Sequence, residues 1–176
     1  MHTTDPRNEL FDLVDDQDRV IGTVKRREAN RNPKLIHRAV AILVYNPKRQ
    51  LFLQKRSRTK DTYPGYWTIS ASGHVPSGKT YRQAAAMELT EELGIKKVPP
   101  LKLLGKKLIR YPNETEFETF FKAVYAGQVS LNKEEIEEGR WFTLNRRFFQ
   151  TTLNTLKISP ELKVIVENFL TNAAGS

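Results

Sequence analysis

Cysteine is absent from the 176-residue chain. That absence excludes disulfides, thiolate zinc sites and thiol nucleophiles together, so any metal must rest on carboxylates, carbonyls or the three histidines. No stretch approaches the roughly 18 uninterrupted apolar residues of a membrane span. Residues 1–6 also lack the charged-then-apolar order of a signal peptide. A cytoplasmic protein with no membrane partner is expected. Repeats, linkers and low-complexity tracts are missing, and 39% apolar with 28% charged residues is enough of each for one ordinary core. A single domain over 1–176 follows, with 1–8 and 172–176 expected to fray. What the chain has in excess is positive charge, 29 Lys and Arg against 20 Asp and Glu, for a formal +9. That balance suits an anionic partner such as nucleic acid, an anionic surface or a phosphorylated small molecule. Because the basic clusters at 25–27, 55–60 and 146–147 are scattered among acids and no nucleic-acid recognition motif accompanies them, no specific nucleic-acid partner is expected.

Hydrophobic patterning predicts a hairpin over 10–24, turning at Asp15-Asp16-Gln17-Asp18. A buried strand at 37–45 turns through Asn46-Pro47-Lys48-Arg49 into a second at 51–54. Further strands are predicted at 101–109, 117–125 and, briefly, 140–142. A helix is predicted over 81–93, stopped by Gly94, and another opens at Pro160. Sheets mixed with two or three helices imply a layered α/β domain with the 81–93 helix on one face of the sheet.

On that helix Glu88, Glu91 and Glu92 fall at i, i+3 and i+4, within about 100° of one another around the axis. Ala86, Leu89 and Leu93 form the adjacent apolar stripe, so the acids are expected to face outward past the sheet edge. Like charges at this spacing repel, and within the helix no Lys or Arg lies three or four positions away to relieve them, Lys96 falling beyond Gly94. A hard divalent cation, Mg²⁺ or Mn²⁺, suits such clustered oxygens and keeps room for substrate phosphate oxygens. Neutralising Glu92 on that exposed face is expected to leave the fold intact.

The run from Gly73 to Ile95 resembles the Nudix box, G-x5-E-x7-R-E-U-x-E-E-x-G-U with U aliphatic, and matches at Gly73, Glu88, Leu89, Glu91, Glu92, Gly94 and Ile95. The glycine at 73 is read as permitting a tight turn out of the preceding strand, and Gly94 as ending the helix. Two positions depart from the pattern, Lys79 in place of Glu and Met87 in place of Arg. Losing both charges of a supporting pair together strands neither partner. The resemblance implies a Nudix-type α/β/α sandwich with a mixed sheet and an N-terminal hairpin, and a Mg²⁺- or Mn²⁺-dependent hydrolase of small diphosphates. Glu88, Glu91 and Glu92 would be metal ligands, and Glu91 and Glu92 the catalytic pair.

The likeness runs over roughly residues 9–145. His37-Arg38-Ala39, Gln54 to Lys60 and Tyr63-Pro64-Gly65-Tyr66-Trp67 are similar to the branch that holds isopentenyl-diphosphate isomerase and its hydrolase relatives. Carried over from that branch, Arg56 and Lys60 would contact the diphosphate, and His37, His74, Glu114 and Glu116 would belong to a second metal site, with Asn30 where the branch has another His. The isomerases carry a Cys where this chain has Ser72, whose hydroxyl has too high a pKa to exchange protons readily near neutral pH. Hydrolysis is therefore favoured over isomerisation. An inactive Nudix domain or a basic nucleic-acid-binding module is the third reading. Among the later acids Glu134, Glu135, Glu137 and Glu138, most are expected to be solvated loop residues. A homodimer is compatible with the sequence.

Overall fold

The computed structural model describes residues 8–60 and 62–170, so the expected fraying of the two ends falls outside the described residues except at Asn8. The expected hairpin forms from β1 (Leu10–Val14) and β2 (Val20–Lys25), followed by the one-turn helix α1 (Arg26–Ala29). Next come β3 (Ile36–Tyr45), β4 (Leu51–Arg56), β5 (Trp67–Thr68) and β6 (Ala71–His74), which lead into α2 (Tyr81–Leu93). β7 (Lys102–Arg110), β8 (Thr115–Val124) and β9 (Ile136–Phe142) follow. A π-helical turn (Phe148–Thr152) then runs into α3 (Leu153–Thr155), and α4 (Pro160–Ile165) continues into a second π-helical turn (Val166–Leu170).

β3 is nearly continuously apolar because both of its faces are covered. It pairs in parallel with β8 over its whole length and antiparallel with β6 and, at Tyr45, with β4. The main sheet runs β5-β4-β3-β8-β7, with β9 on β4, and is therefore mixed. Alternate residues of β3 feed two cores. Val40, Ile42 and Val44 pack with Leu89 and Leu93 of α2, whereas Ala41 and Leu43 pack with Leu162 and Ile165 of α4. The sheet is thus sandwiched between helical layers. Trp67 and Phe121 are core residues of these two layers.

Local chemistry explains α2. Thr80 caps it and Gln83 completes a capping box. Gly94 closes it in the left-handed region at φ 65°, with its N–H on Leu89 and Thr90 carbonyls. Three expectations need correction. Ala86 is only partly buried while Glu92 is 3% exposed, so the acids do not all face outward. β9 is seven residues long because β4 pairs along it, which makes Glu137 and Glu138 strand residues. Gly73 sits in extended β6 opposite Val40, and no turn requires it.

Candidate active site

Register brings the first group of side chains together. In the parallel β3–β8 ladder His37 stands beside Glu116, and across β3 from that strand His74 pairs with Ala39, two residues on. Side chains two apart share a face, so His37, His74, Glu114, Glu116 and Glu118 all project toward the α4 layer. Ligand atoms of His37, His74, Glu114 and Glu116 lie within 4.8 Å of one another. Glu116 Oε1 is 3.0 Å from His74 Nε2 and 3.3 Å from His37 Nε2, while Glu114 Oε2 lies 3.6 Å and 3.9 Å from the same nitrogens. Phe11 of the hairpin stacks on both imidazoles. Asn30, oriented by its neighbours, donates its amide to Arg26 O and, at 3.3 Å, to Glu114 Oε2. It therefore joins the cluster as a hydrogen-bond donor.

Electrostatics follow from this packing. Burial opposes charge on His74, but the Glu114 and Glu116 carboxylates prevail and raise it to about 9. Burial works against the Glu116 anion too, and the two imidazoles overcome it, holding that carboxyl well below the usual range. His37 is fully buried, and the approach to Glu116 lacks hydrogen-bond geometry, so its Nε2 has no hydrogen-bond partner.

The second group comes from α2, on the other side of β6. Glu88 packs directly on Gly73, where a Cβ would lie 2.0 Å from Glu88 Oε1. Close approach of this carboxylate is what requires glycine there. Glu92 Oε2 accepts from Gln54 Nε2 (2.8 Å) and from the Ser72 N–H (3.3 Å). Burial, then Glu92 and Glu91, push the Glu88 carboxyl well above its ordinary value. Burial, then Glu135, raise Glu92 to about 8. Glu91 is exposed and more mildly raised, by burial and then by Glu135 and Glu9.

Both groups open on one cavity of about 200 Å³, lined also by Arg56 and Lys60. Of the expected site residues, Arg56, Lys60, His74, Glu88, Glu91, Glu114 and Glu116 reach this cavity, and buried His37 and Glu92 do not line it. Thr62 accepts from Arg56 Nε through its carbonyl at 2.9 Å, and Lys60 Nζ is 3.2 Å from Glu135. Of the later acids only Glu135 lines the cavity, while Glu137 pairs with Lys55 and Glu138 with Arg140. The loop before α2 is held from the hairpin, since Asp12 Oδ1 accepts from Ser77 Oγ (2.7 Å) and the Gly78 N–H (3.2 Å). Lys79 is exposed and Met87 partly buried. Sequence reasoning missed Tyr111, Glu118 and Glu161. Glu118 was visible as the next same-face acid after Glu114 and Glu116, whereas nothing local marks Glu161.

A mixed sheet between helical layers, with helix-borne glutamates at a cavity beside the central strands, is the architecture of the Nudix hydrolases. The chain belongs to that family, because the NUDIX domain profile matches residues 35–161. It is 39% identical over 133 residues to an uncharacterized Nudix hydrolase of Pseudomonas aeruginosa, covering 76% of this chain and 78% of that protein. To human isopentenyl-diphosphate delta-isomerase 2 it is 28% identical over 191 residues, covering 92% and 82%. A crystal structure from Deinococcus radiodurans superposes with TM-score 0.76 at 23% identity over 92% of this chain and 99% of that one, a likeness of fold.

Proposed function

We propose that the chain is a divalent-metal-dependent hydrolase that cleaves the diphosphate linkage of a nucleoside diphosphate-X or a related small diphosphate. The observation that carries this reading is the Glu88 carboxylate packed on Gly73 beside buried Glu92, at a cavity whose cations are Arg56 and Lys60. Burial first, and then neighbouring carboxylates that Lys60 does not offset, raise both carboxyls, and a further cation relieves that cost. The donors fit Mg²⁺ or Mn²⁺, being carboxylate oxygens on α2. Glu88 and Glu92 are the first ligands, with Glu91 as a ligand or the base that takes a proton from the attacking water. His37, His74, Glu114 and Glu116 form a second donor set, and the orphaned buried Nε2 of His37 supports it. When bound, the metal neutralises diphosphate oxygens and lowers the pKa of a coordinated water. Arg56 and Lys60 orient the diphosphate, and the whole chain acts as one domain.

The test is release of phosphate or nucleoside monophosphate from a diphosphate panel, first with Mg²⁺ and then with Mn²⁺. No metal-dependent release from any member would reject the reading.

Isomerisation of isopentenyl diphosphate is the second reading, favoured by the His37–His74–Glu114–Glu116 cluster and by similarity to the human protein named as that isomerase. Ser72 weighs against it, because moving a proton on carbon needs an acid and a base of suitable pKa on opposite sides of the double bond. Enzyme-dependent deuterium incorporation into isopentenyl diphosphate from heavy water, followed by NMR, would overturn the hydrolase choice.

A further inference from the structure

The strand ends farthest from the cavity carry charge of one sign. Lys48 and Arg49 occupy the turn between β3 and β4, Lys102 opens β7, Lys122 lies near the close of β8, and Arg146 and Arg147 follow β9. Register and hydrogen bonds join them into one row. Lys102 stands directly opposite Lys122, whose Nζ lies 4.4 Å from the centre of the Tyr45 ring at the end of β3. Asn46 and Gln50 close the β3–β4 turn on each other, and Gln50 Nε2 donates to Thr143 Oγ1 at 3.3 Å, which ties in the segment bearing Arg146 and Arg147. The row is well removed from the cavity, by the stretch of β8 from Glu118 to Lys122 and of β3 from Val40 to Tyr45, or about 13–17 Å.

Residues 39–60, 93–113, 119–133 and 139–160, which supply these strand ends and turns, contain no Asp or Glu. Among the described residues none of the six cations has an ion-pair partner, whereas Arg26, Arg38, Lys55, Lys60 and Lys106 each pair with a carboxylate elsewhere. The positive charge of the row is uncompensated. Its placement is also unfavourable in itself, because like charges directly opposite across an antiparallel pair destabilise it, as Lys102 and Lys122 do. Arg49 holds φ 61°, where asparagine or glycine is the easier residue. Protection of a sheet edge accounts for Lys102 on the outermost strand, but not for Lys122 on an interior strand or for the turn residues.

The shape of the row points to its partner. Strands β7, β8, β3, β4 and β9 are paired in that order, so the cations spread over four strand spacings, about 19 Å. One strand of a helical polynucleotide carries a charge about every 3.4 Å along its axis, or about five over that length. A protein interface packs around an apolar centre, and the exposed large aliphatics described at this end are Leu103 and Val124 alone. We propose that this end of the sheet binds the phosphate backbone of a polynucleotide, without reading its sequence and independently of the cavity. Arginine forks and lysine point charges both suit phosphate oxygens. The sequence has no nucleic-acid recognition motif, so phosphates rather than base edges are the ligand. Strand pairing assembles the row from four segments distant along the chain, which is why no single basic run announces it.

The test follows a labelled oligouridylate with a 5′-hydroxyl end by fluorescence anisotropy, on the intact protein without added metal. With about four phosphates engaged, affinity should fall about 50-fold between 50 and 200 mM salt. Lys102→Gln should weaken binding and flatten the salt dependence by about one phosphate contact, yet hold or raise Tm, because it relieves the opposition to Lys122. Arg146→Gln combined with Arg147→Gln should lower affinity about tenfold at physiological salt, with folding checked by circular dichroism. Lys25→Gln combined with Arg31→Gln removes the same charge from exposed positions on β2 and after α1, and should leave affinity unchanged. Equal losses in the two double variants would reduce the effect to net charge and overturn the proposal. So would absence of binding, full affinity in the folded Arg146→Gln, Arg147→Gln variant, or tighter binding to phosphatidylserine vesicles or to polyglutamate than to the RNA. Inhibition of diphosphate hydrolysis by the RNA that persists in that variant would place the RNA in the cavity, with the same consequence. Binding that meets these expectations in a protein hydrolysing no diphosphate would uphold the proposal while rejecting the hydrolase reading.

Discussion

Two sets of glutamates face the same cavity in opposite electrical states. On α2, Glu88 and Glu92 are buried beside other carboxylates, and their carboxyls are raised. On β8, Glu116 is just as buried, yet two imidazoles hold it low, and His74 is raised in return to about 9. Residue type and burial are alike, so the neighbours decide the sign. The helix set has cations at Lys60 and Arg56 that do not overcome burial, whereas the strand set carries its own charge partner in His74, and both sets must release protons before a cation can enter.

Removing a helix carboxylate should have the largest effect. Glu92→Gln is expected to lower metal-dependent hydrolysis by ~100-fold or more, equivalent to about 3 kcal/mol. The amide oxygen still accepts from Gln54 and Ser72, so without metal the variant should gain stability at pH 8.5, by several degrees in Tm. Full activity in the folded variant would remove Glu92 from the ligand set. The gain in stability refines the expectation drawn from an exposed face, because relieving a buried charge outweighs relieving repulsion between solvated ones.

Gly73→Ala acts on Glu88 without touching its chemistry. The new methyl would meet the carboxylate, so hydrolysis should fall about tenfold or more with Tm nearly kept, since a side-chain end can move aside. Gly22→Ala, with nothing within 4 Å, is the matched control and should leave rate unchanged. Equal rates for the two variants would show that Glu88 does not need its packed position.

The pH dependence separates the two sets. Glu92 has a raised carboxyl, so the native state holds a proton that the unfolded state releases, and metal-free stability falls as pH climbs from the ordinary carboxyl range through about 8. The imidazolium of His74 contributes stability that is fully present below about 6.5 and is lost as pH rises through about 9. Glu116, with its lowered carboxyl, contributes above the ordinary range and loses that contribution as the solution is acidified. Stabilisation by Mg²⁺, read as the Tm difference with and without metal, should therefore grow between pH 6 and 9. A flat difference would contradict binding at these groups.

The smallest effect is expected at Asp12→Ala, which frees Ser77 and Gly78 and removes a partner of Arg38. A loss of about 1–3 kcal/mol by denaturant titration is expected, with a modest fall in rate. This variant asks whether the hairpin has taken over the support that Lys79 and Met87 no longer provide. An effect on stability alone, with rate intact, would make the brace structural only.

Much of the molecule is legible in its sequence because it is written locally. Thr80, Gln83 and Gly94 mark the ends of α2 by their own hydrogen bonds and backbone freedom. The period of the apolar residues separates helix from strand, and Glu88, Glu91 and Glu92 announce themselves by helical spacing. Which of the three turns inward was not legible, because Gln54 and the Ser72 N–H lie on other strands. Gly73 was seen as necessary for the wrong reason, since its constraint comes from a side chain fifteen positions on.

The sequence by itself determined most helix and strand positions and the acidic helix with its three spaced glutamates, all of which depend on neighbours within a few positions. Tertiary structure alone decided the rest. Parallel register sets His37 beside Glu116 and leaves Glu118 next along the same face, and the docking of α4 on β5 carries Glu161 to Ser72. Long-range pairing chooses those partners, and burial among them fixes whether a carboxyl keeps or sheds its proton.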